Sequence, residues 1–171
     1  MQKKILSGVL CCLSLITVLQ SHAQSKEQCI NMLNEKAKEI IGQIKIVNSN
    51  RFVVDDAYFT MKNDEVTIFF KSGKDEYYYY FSPQHIDEVE DGNVNASSPI
   101  GIIKIVLEDE LGRREADLKK STATPYYNDI VYFNYLKKDP KNFEQIQKLL
   151  LKLKELTTEL PTKNSVQHLL D

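Results

Sequence analysis

Side-chain chemistry in this chain would have to start from very few groups. Beyond residue 23 the sequence holds one cysteine, Cys29, and two histidines, His85 and His168. A zinc site or a histidine-activated nucleophile needs such residues at set spacings, and none of those spacings is present. His85 follows Pro83 at a break between strands and His168 lies among the last residues, so both read as solvated surface histidines. Cys29 reads as a half-buried helical thiol, with pairing between two chains as the alternative. The glycines are isolated, which excludes a phosphate-cradling loop, and no G-x-S-x-G elbow occurs. Acids are more plentiful. Asp55-Asp56, Asp87-Glu88 with Glu90-Asp91, and Glu108-Asp109-Glu110 could offer oxygen ligands to calcium. None follows the D-x-[DN]-x-[DN]-G pattern; the run from Asp87 to Asp91, with Gly92 and Asn93 after it, comes nearest and reads as an ordinary solvated turn. No metal, no cofactor and no catalytic residue is expected.

The residues that can bind are aromatic. Tyr77-Tyr78-Tyr79-Tyr80-Phe81 reads as one strand, and strand side chains alternate between faces, so rings must lie on both. A two-residue turn at Asn63-Asp64 sets Tyr58 opposite Phe69, and one at Ser72-Gly73 sets Thr67 opposite Tyr78. One face then carries Ala57, Phe59, Met61, Val66, Ile68, Phe70, Tyr77, Tyr79 and Phe81, which suits a core. The other carries Tyr58, Phe69, Tyr78 and Tyr80 with Thr60 and Thr67, too aromatic for plain solvent-facing sheet. Those four rings are the candidate binding face. Either the N-terminal helix lies over them, or they meet a protein, peptide, glycan or second copy.

The elements that must position them follow from periodicity. Ser25 opens a helix, with Gln28 in capping-box position and Ile30, Leu33, Ala37, Ile40, Ile41 and Ile44 as its apolar stripe. From Arg51 the period changes to two. Strands are expected near Phe52–Met61, Val66–Phe70, Glu76–Phe81, Ile86–Glu90, Ile100–Glu108, Arg113–Lys119 and Asp129–Tyr135. Leu111-Gly112 is read as the hairpin between the fifth and sixth, and Asp91–Pro99 and Lys120–Asn128 as loops. The short connections imply antiparallel neighbours. Asp139 and Pro140 then start a long amphipathic helix that runs to about Leu160 and is stopped by Pro161. Its stripe is Phe143, Ile146, Leu149, Leu150, Leu153, Leu156 and Leu160.

Residues 1–23 have the three parts of a secretory leader: Lys3 and Lys4, the apolar run Ile5–Leu19, and the small-x-small site Ser21-His22-Ala23. Cleavage after Ala23 is expected; Cys11 and Cys12 lack the small residue that lipid attachment wants just ahead. Residues 24–161 then form one domain, 162–171 a tail, with no transmembrane span in the mature chain. Removing Lys3 and Lys4 leaves 20 basic residues against 24 acids, a net charge near −4 that does not invite nucleic acid.

Helix, seven antiparallel strands, long helix: over Phe52–Leu160 this order resembles the pleckstrin-homology-like superfold, with an added N-terminal helix. The resemblance is one of topology and carries no sequence motif. It implies an α+β fold of two nearly orthogonal sheets in an open barrel, plugged by the last helix. Lipid-binding members line the first strand turn with basic residues, whereas Lys62-Asn63-Asp64-Glu65 carries two acids to one base. The expected function is an exported, secreted or periplasmic, non-enzymatic binding or structural module. The alternative is a carrier holding a small apolar ligand between sheet and last helix, as in the helix-grip fold.

Overall fold

In the computed structural model, which describes residues 24–47, 50–92, 98–116 and 126–158, Ser25 is the N-cap of α1 (Lys26–Ile40). Its hydroxyl accepts from the Gln28 N–H at 3.1 Å, and the Gln28 side chain accepts from the Ser25 N–H at 2.9 Å, the reciprocal box expected from the sequence. The expected leader, the tail from 162, Leu160, His168 and loop residues 93–97 and 117–125 lie outside the described residues.

α1 stops at Ile41-Gly42, where Gly42 takes the left-handed φ of +79° that glycine accepts without strain. Ile44, expected in the helical stripe, instead begins β1 (Ile44–Val47), which pairs with β2 (Asn50–Val53). The single strand expected over Phe52–Met61 is therefore two, with β3 (Asp56–Lys62) starting after a break. Val54 causes the break. It is fully buried, its N–H donates to the Gln43 carbonyl at 3.0 Å, and its own carbonyl accepts from the Gly42 N–H at 2.8 Å, which ties the hairpin at its base.

Asn63 and Asp64 both take positive φ, 51° and 60°, and join β3 to β4 (Glu65–Ser72) in the expected two-residue turn. The next turn is Gly73-Lys74, not Ser72-Gly73, because Ser72 pairs with Asp75 at the start of β5 (Asp75–Phe81). Gly73 supplies the positive φ, and its N–H donates to the Asp55 carboxylate. Thr67 thus lies opposite Tyr80 rather than Tyr78. The slip is two residues, an even number, so every side chain keeps its face.

β6 (Ile86–Asp91) and β7 (Ile100–Leu107) follow, then β8 (Gly112–Ala116), β9 (Tyr126–Asn128) and β10 (Ile130–Leu136). The expected hairpin at Leu111-Gly112 does not form. A 3-10 turn at Glu108–Glu110, with Asp109 at φ 51°, carries the chain out of one sheet and into another, where β8 pairs with β5 and β9. Gly112 lies inside β8. A Cβ there would come within 2.8 Å of the Asn128 carbonyl and of a Leu107 methyl, so this glycine permits a close approach rather than a turn.

Among the described residues the result is α+β, with two helices and ten strands, all pairs antiparallel, in three sheets: β1-β2, β10-β7-β6 and β3-β4-β5-β8-β9. None closes into the barrel expected from the sequence. α2 (Asn142–Thr158) begins two residues later than Asp139-Pro140 suggested; Asp139 still accepts from the Lys141 N–H at 2.9 Å. Ile146, Leu149, Leu150 and Leu153 enter one central core with Leu33, Ile40, Phe59, Ile105 and Phe133. These side chains form the face of α2 that meets the rest of the core.

α1 does not lie over the aromatic face. It packs on β3, β10 and α2. Asn34 seats it: its Nδ2 donates to the Phe59 carbonyl at 3.0 Å and its Oδ1 accepts from the Phe59 N–H at 2.7 Å, closing the outer edge of β3. Cys29 is fully rather than half buried, and burial pushes its thiol pKa up, so its sulfur is not offered to a second copy.

Candidate functional site

The outer face of β3, β4 and β5 brings together the rings that parity assigns to it. Tyr58 stacks on Phe69 at 4.6 Å, Phe69 meets Tyr78 at 5.0 Å, and Tyr78 meets Tyr80 at 6.4 Å. Arg113 lies over Tyr80 at 4.2 Å, and Tyr80 donates to Glu115 at 3.3 Å. Burial, then the Glu115 carboxylate, push the Tyr80 hydroxyl pKa up. Phe69 is 5% exposed yet stands outside the central core, so its neighbours on the sheet cover it. The patch is flat and largely packed upon itself.

The inner face is different. Core side chains fill it around Phe59 and Ile68, but towards β5 and β8 a cleft of about 230 Å³ remains. Alternation on β4 turns Phe70 and Ser72 into it, and alternation on β5 does the same for Asp75, Tyr77 and Tyr79. Arg114 on β8, directly across from Tyr79, supplies one cation. The β1–β2 hairpin forms another wall through a cross-strand pair, Lys45 and Phe52. Tyr132, Phe133 and Asn134 of β10 complete the lining. Three sheets thus meet at one hollow.

Both cations sit on rings. The Arg114 guanidinium lies 4.9 Å from the Tyr77 centroid and 5.7 Å from that of Tyr79, while the Lys45 ammonium lies 5.4 Å from Phe70. Ring quadrupoles attract such charges and offset part of the cost of removing them from water. Burial pulls the Lys45 pKa below its ordinary value, and among the described residues no carboxylate pairs with it. Asn134 is 6% exposed and lines the cleft.

Nothing in the spacing of Lys45, Arg114 and Asn134 marks them as a group, and alternation alone assigns Tyr77 and Tyr79 to the core. A signal existed. Asn134 interrupts an otherwise apolar strand, and Arg114 occupies an inward position opposite aromatic residues; polar groups where the pattern wants apolar ones mark sites. Among the described residues no group of three His, Cys, Asp or Glu side chains gathers for a metal ion. His85 lies 3.8 Å from Glu108, away from this cleft. Comparison with protein-family models, with curated proteins and with solved structures finds no match for this chain, so no relative lends the cleft a function.

Proposed function

We propose that the protein is a non-enzymatic binding module, exported from the cell, whose site is the inter-sheet cleft and whose ligand is a small anion with a ring-sized body. The observation that carries this reading is the seating of two cations, Lys45 and Arg114, over aromatic rings in one hollow. An anion entering there gains charge-assisted hydrogen bonds in a poorly solvated setting, where they are strongest. The aromatic walls then hold whatever carries the charge.

Calorimetric titration of the whole protein with small carboxylates and their uncharged analogues tests it. Carboxylates should bind about tenfold or more tightly than the analogues, and Lys45→Met should weaken them by a similar factor with an unchanged melting temperature. Binding should also fade as pH rises through the Lys45 pKa, which lies below the usual 10.5, and Lys45→Arg should move that loss to higher pH. Absence of binding by any carboxylate at millimolar concentration would overturn the reading.

A further inference from the structure

Going beyond that reading, we propose that Lys45 is the amine of a reversible covalent site, which condenses with small aldehydes that carry an aromatic ring. Lys45 differs from lysines elsewhere in the molecule. Lys26, Lys36, Lys38, Lys71 and Lys152 each hold a carboxylate oxygen within 3.1 Å, and such an ion pair keeps the proton on the nitrogen. Lys45 is half-buried in the wall of the cleft, and its nitrogen meets the Phe70 ring in place of a carboxylate. Asp75, Tyr77 and Tyr79 of β5, Arg114 of β8 and Tyr132 of β10 are the ionisable groups that line the cleft with it. Burial, rather than any of these, sets the direction of its pKa, which is down. Lys45 therefore gives up a proton more readily than an exposed lysine, and the uncharged amine is the nucleophile.

The Lys45 nitrogen gives its electron pair to the aldehyde carbon, and the carbonyl pair moves to the oxygen, which takes up the proton that the nitrogen releases. The carbinolamine then loses its hydroxyl and the second nitrogen proton as water, which leaves a C=N bond. No oxidant, reductant or cofactor is consumed. The cleft favours an aromatic aldehyde for two reasons. Its volume, about 230 Å³, suits a compound of one ring. Phe70, and Phe52 across the hairpin from Lys45, set flat apolar faces beside the nitrogen. An aliphatic aldehyde undergoes the same step and leaves those rings uncovered. The same rings keep water from the C=N bond, and water is what returns it to amine and aldehyde.

The test is reductive trapping on the whole protein at neutral pH. Benzaldehyde or acetaldehyde is added, the imine is reduced with cyanoborohydride, and the digested chain is mapped by peptide mass. Benzaldehyde should mark Lys45 about tenfold faster than Lys38, whose side chain is 65% exposed and ion-paired, and the preference should vanish in guanidinium. Acetaldehyde should show a clearly smaller preference. Phe52→Ala, at a position 39% exposed, should cut benzaldehyde trapping at Lys45 severalfold and leave that at Lys38 unchanged. Lys45 marked no faster than Lys38, or a preference that survives denaturation, would overturn the proposal. Acetaldehyde trapped at Lys45 as readily as benzaldehyde would overturn its aromatic part. Carboxylate binding without preferred labelling of Lys45 would overturn the covalent site and leave the anion reading standing, and preferred labelling without carboxylate binding would do the reverse.

Discussion

Tyr135 crosses from β10 to lay its ring on Gly101, its partner in the β7 ladder, and its hydroxyl donates to Asp91 at 3.1 Å. A Cβ at residue 101 would stand 2.2 Å from a ring carbon, so glycine makes the room. Burial first, and the Asp91 carboxylate second, push the Tyr135 hydroxyl up to about 12 from an ordinary 10.0. The native state therefore keeps a proton that the unfolded chain releases. The stabilisation is complete below pH 10 and is lost as pH rises from 10 through about 12. Tyr135→Phe keeps the ring and removes the hydroxyl. It should lower stability by about 1 kcal/mol at pH 8 and make the alkaline decline shallower, as read from urea midpoints across that range. Equal alkaline slopes in the two proteins would assign the decline to other groups.

At the level of elements, α2 is held by more than its leucines. Asn142, buried at its first turn, donates to the Leu136 carbonyl at 2.9 Å and to Glu39 at 2.8 Å, and accepts from Lys36 at 2.7 Å, so one side chain joins β10, α1 and α2. Leu150 is fully buried while Leu151, beside it in sequence, is 42% exposed. Leu150→Ala should cost about 2–5 kcal/mol, a large share of the roughly 5–15 kcal/mol such a domain has, and Leu151→Ala under about 1 kcal/mol. Guanidinium denaturation of the two variants checks the face; similar losses would refute it. This stripe was legible in the sequence because helical spacing is local, as were the Ser25 box and the Asn63-Asp64 turn. The β1–β2 hairpin was not, since Ile44 continues the spacing of α1 and nothing nearby says otherwise. Nor was the passage from β7 to β8, where Gly112 has the look of a turn residue but serves packing. The aromatic face survived a misplaced turn because parity decides faces. The cleft was illegible because its cations come from a hairpin and a sheet that only the folded chain brings together.

Across the whole molecule, the helices do for the sheets what further strands would do. Asn34 of α1 satisfies the outer edge of β3. On the far side, Gln147 of α2 donates to the Val89 carbonyl at 2.8 Å and Lys154 to that of Ile86, both on β6, the edge of the three-stranded sheet. At these points the edge groups are already occupied and are not offered to a neighbouring molecule. That suits a protein working in the crowded exterior that we propose for it. Export rests on Lys3, Lys4, the run Ile5–Leu19 and the site Ser21-His22-Ala23. The protein taken from its native host should have the intact mass of a chain starting at Gln24. A mass that includes Met1–Ala23, or acyl chains on Cys11 or Cys12, would contradict it.

The burial of Cys29 has a practical meaning. Its sulfur lies on α1 beneath the contacts that α1 makes with β3, β10 and α2, and only a thiolate in contact with water reacts with a disulfide reagent. With Cys11 and Cys12 absent or replaced by serine, the molecule carries a single internal clock. The rate at which a thiol reagent consumes it under native conditions counts how often the N-terminal helix lifts away. It does so without any label added to the surface.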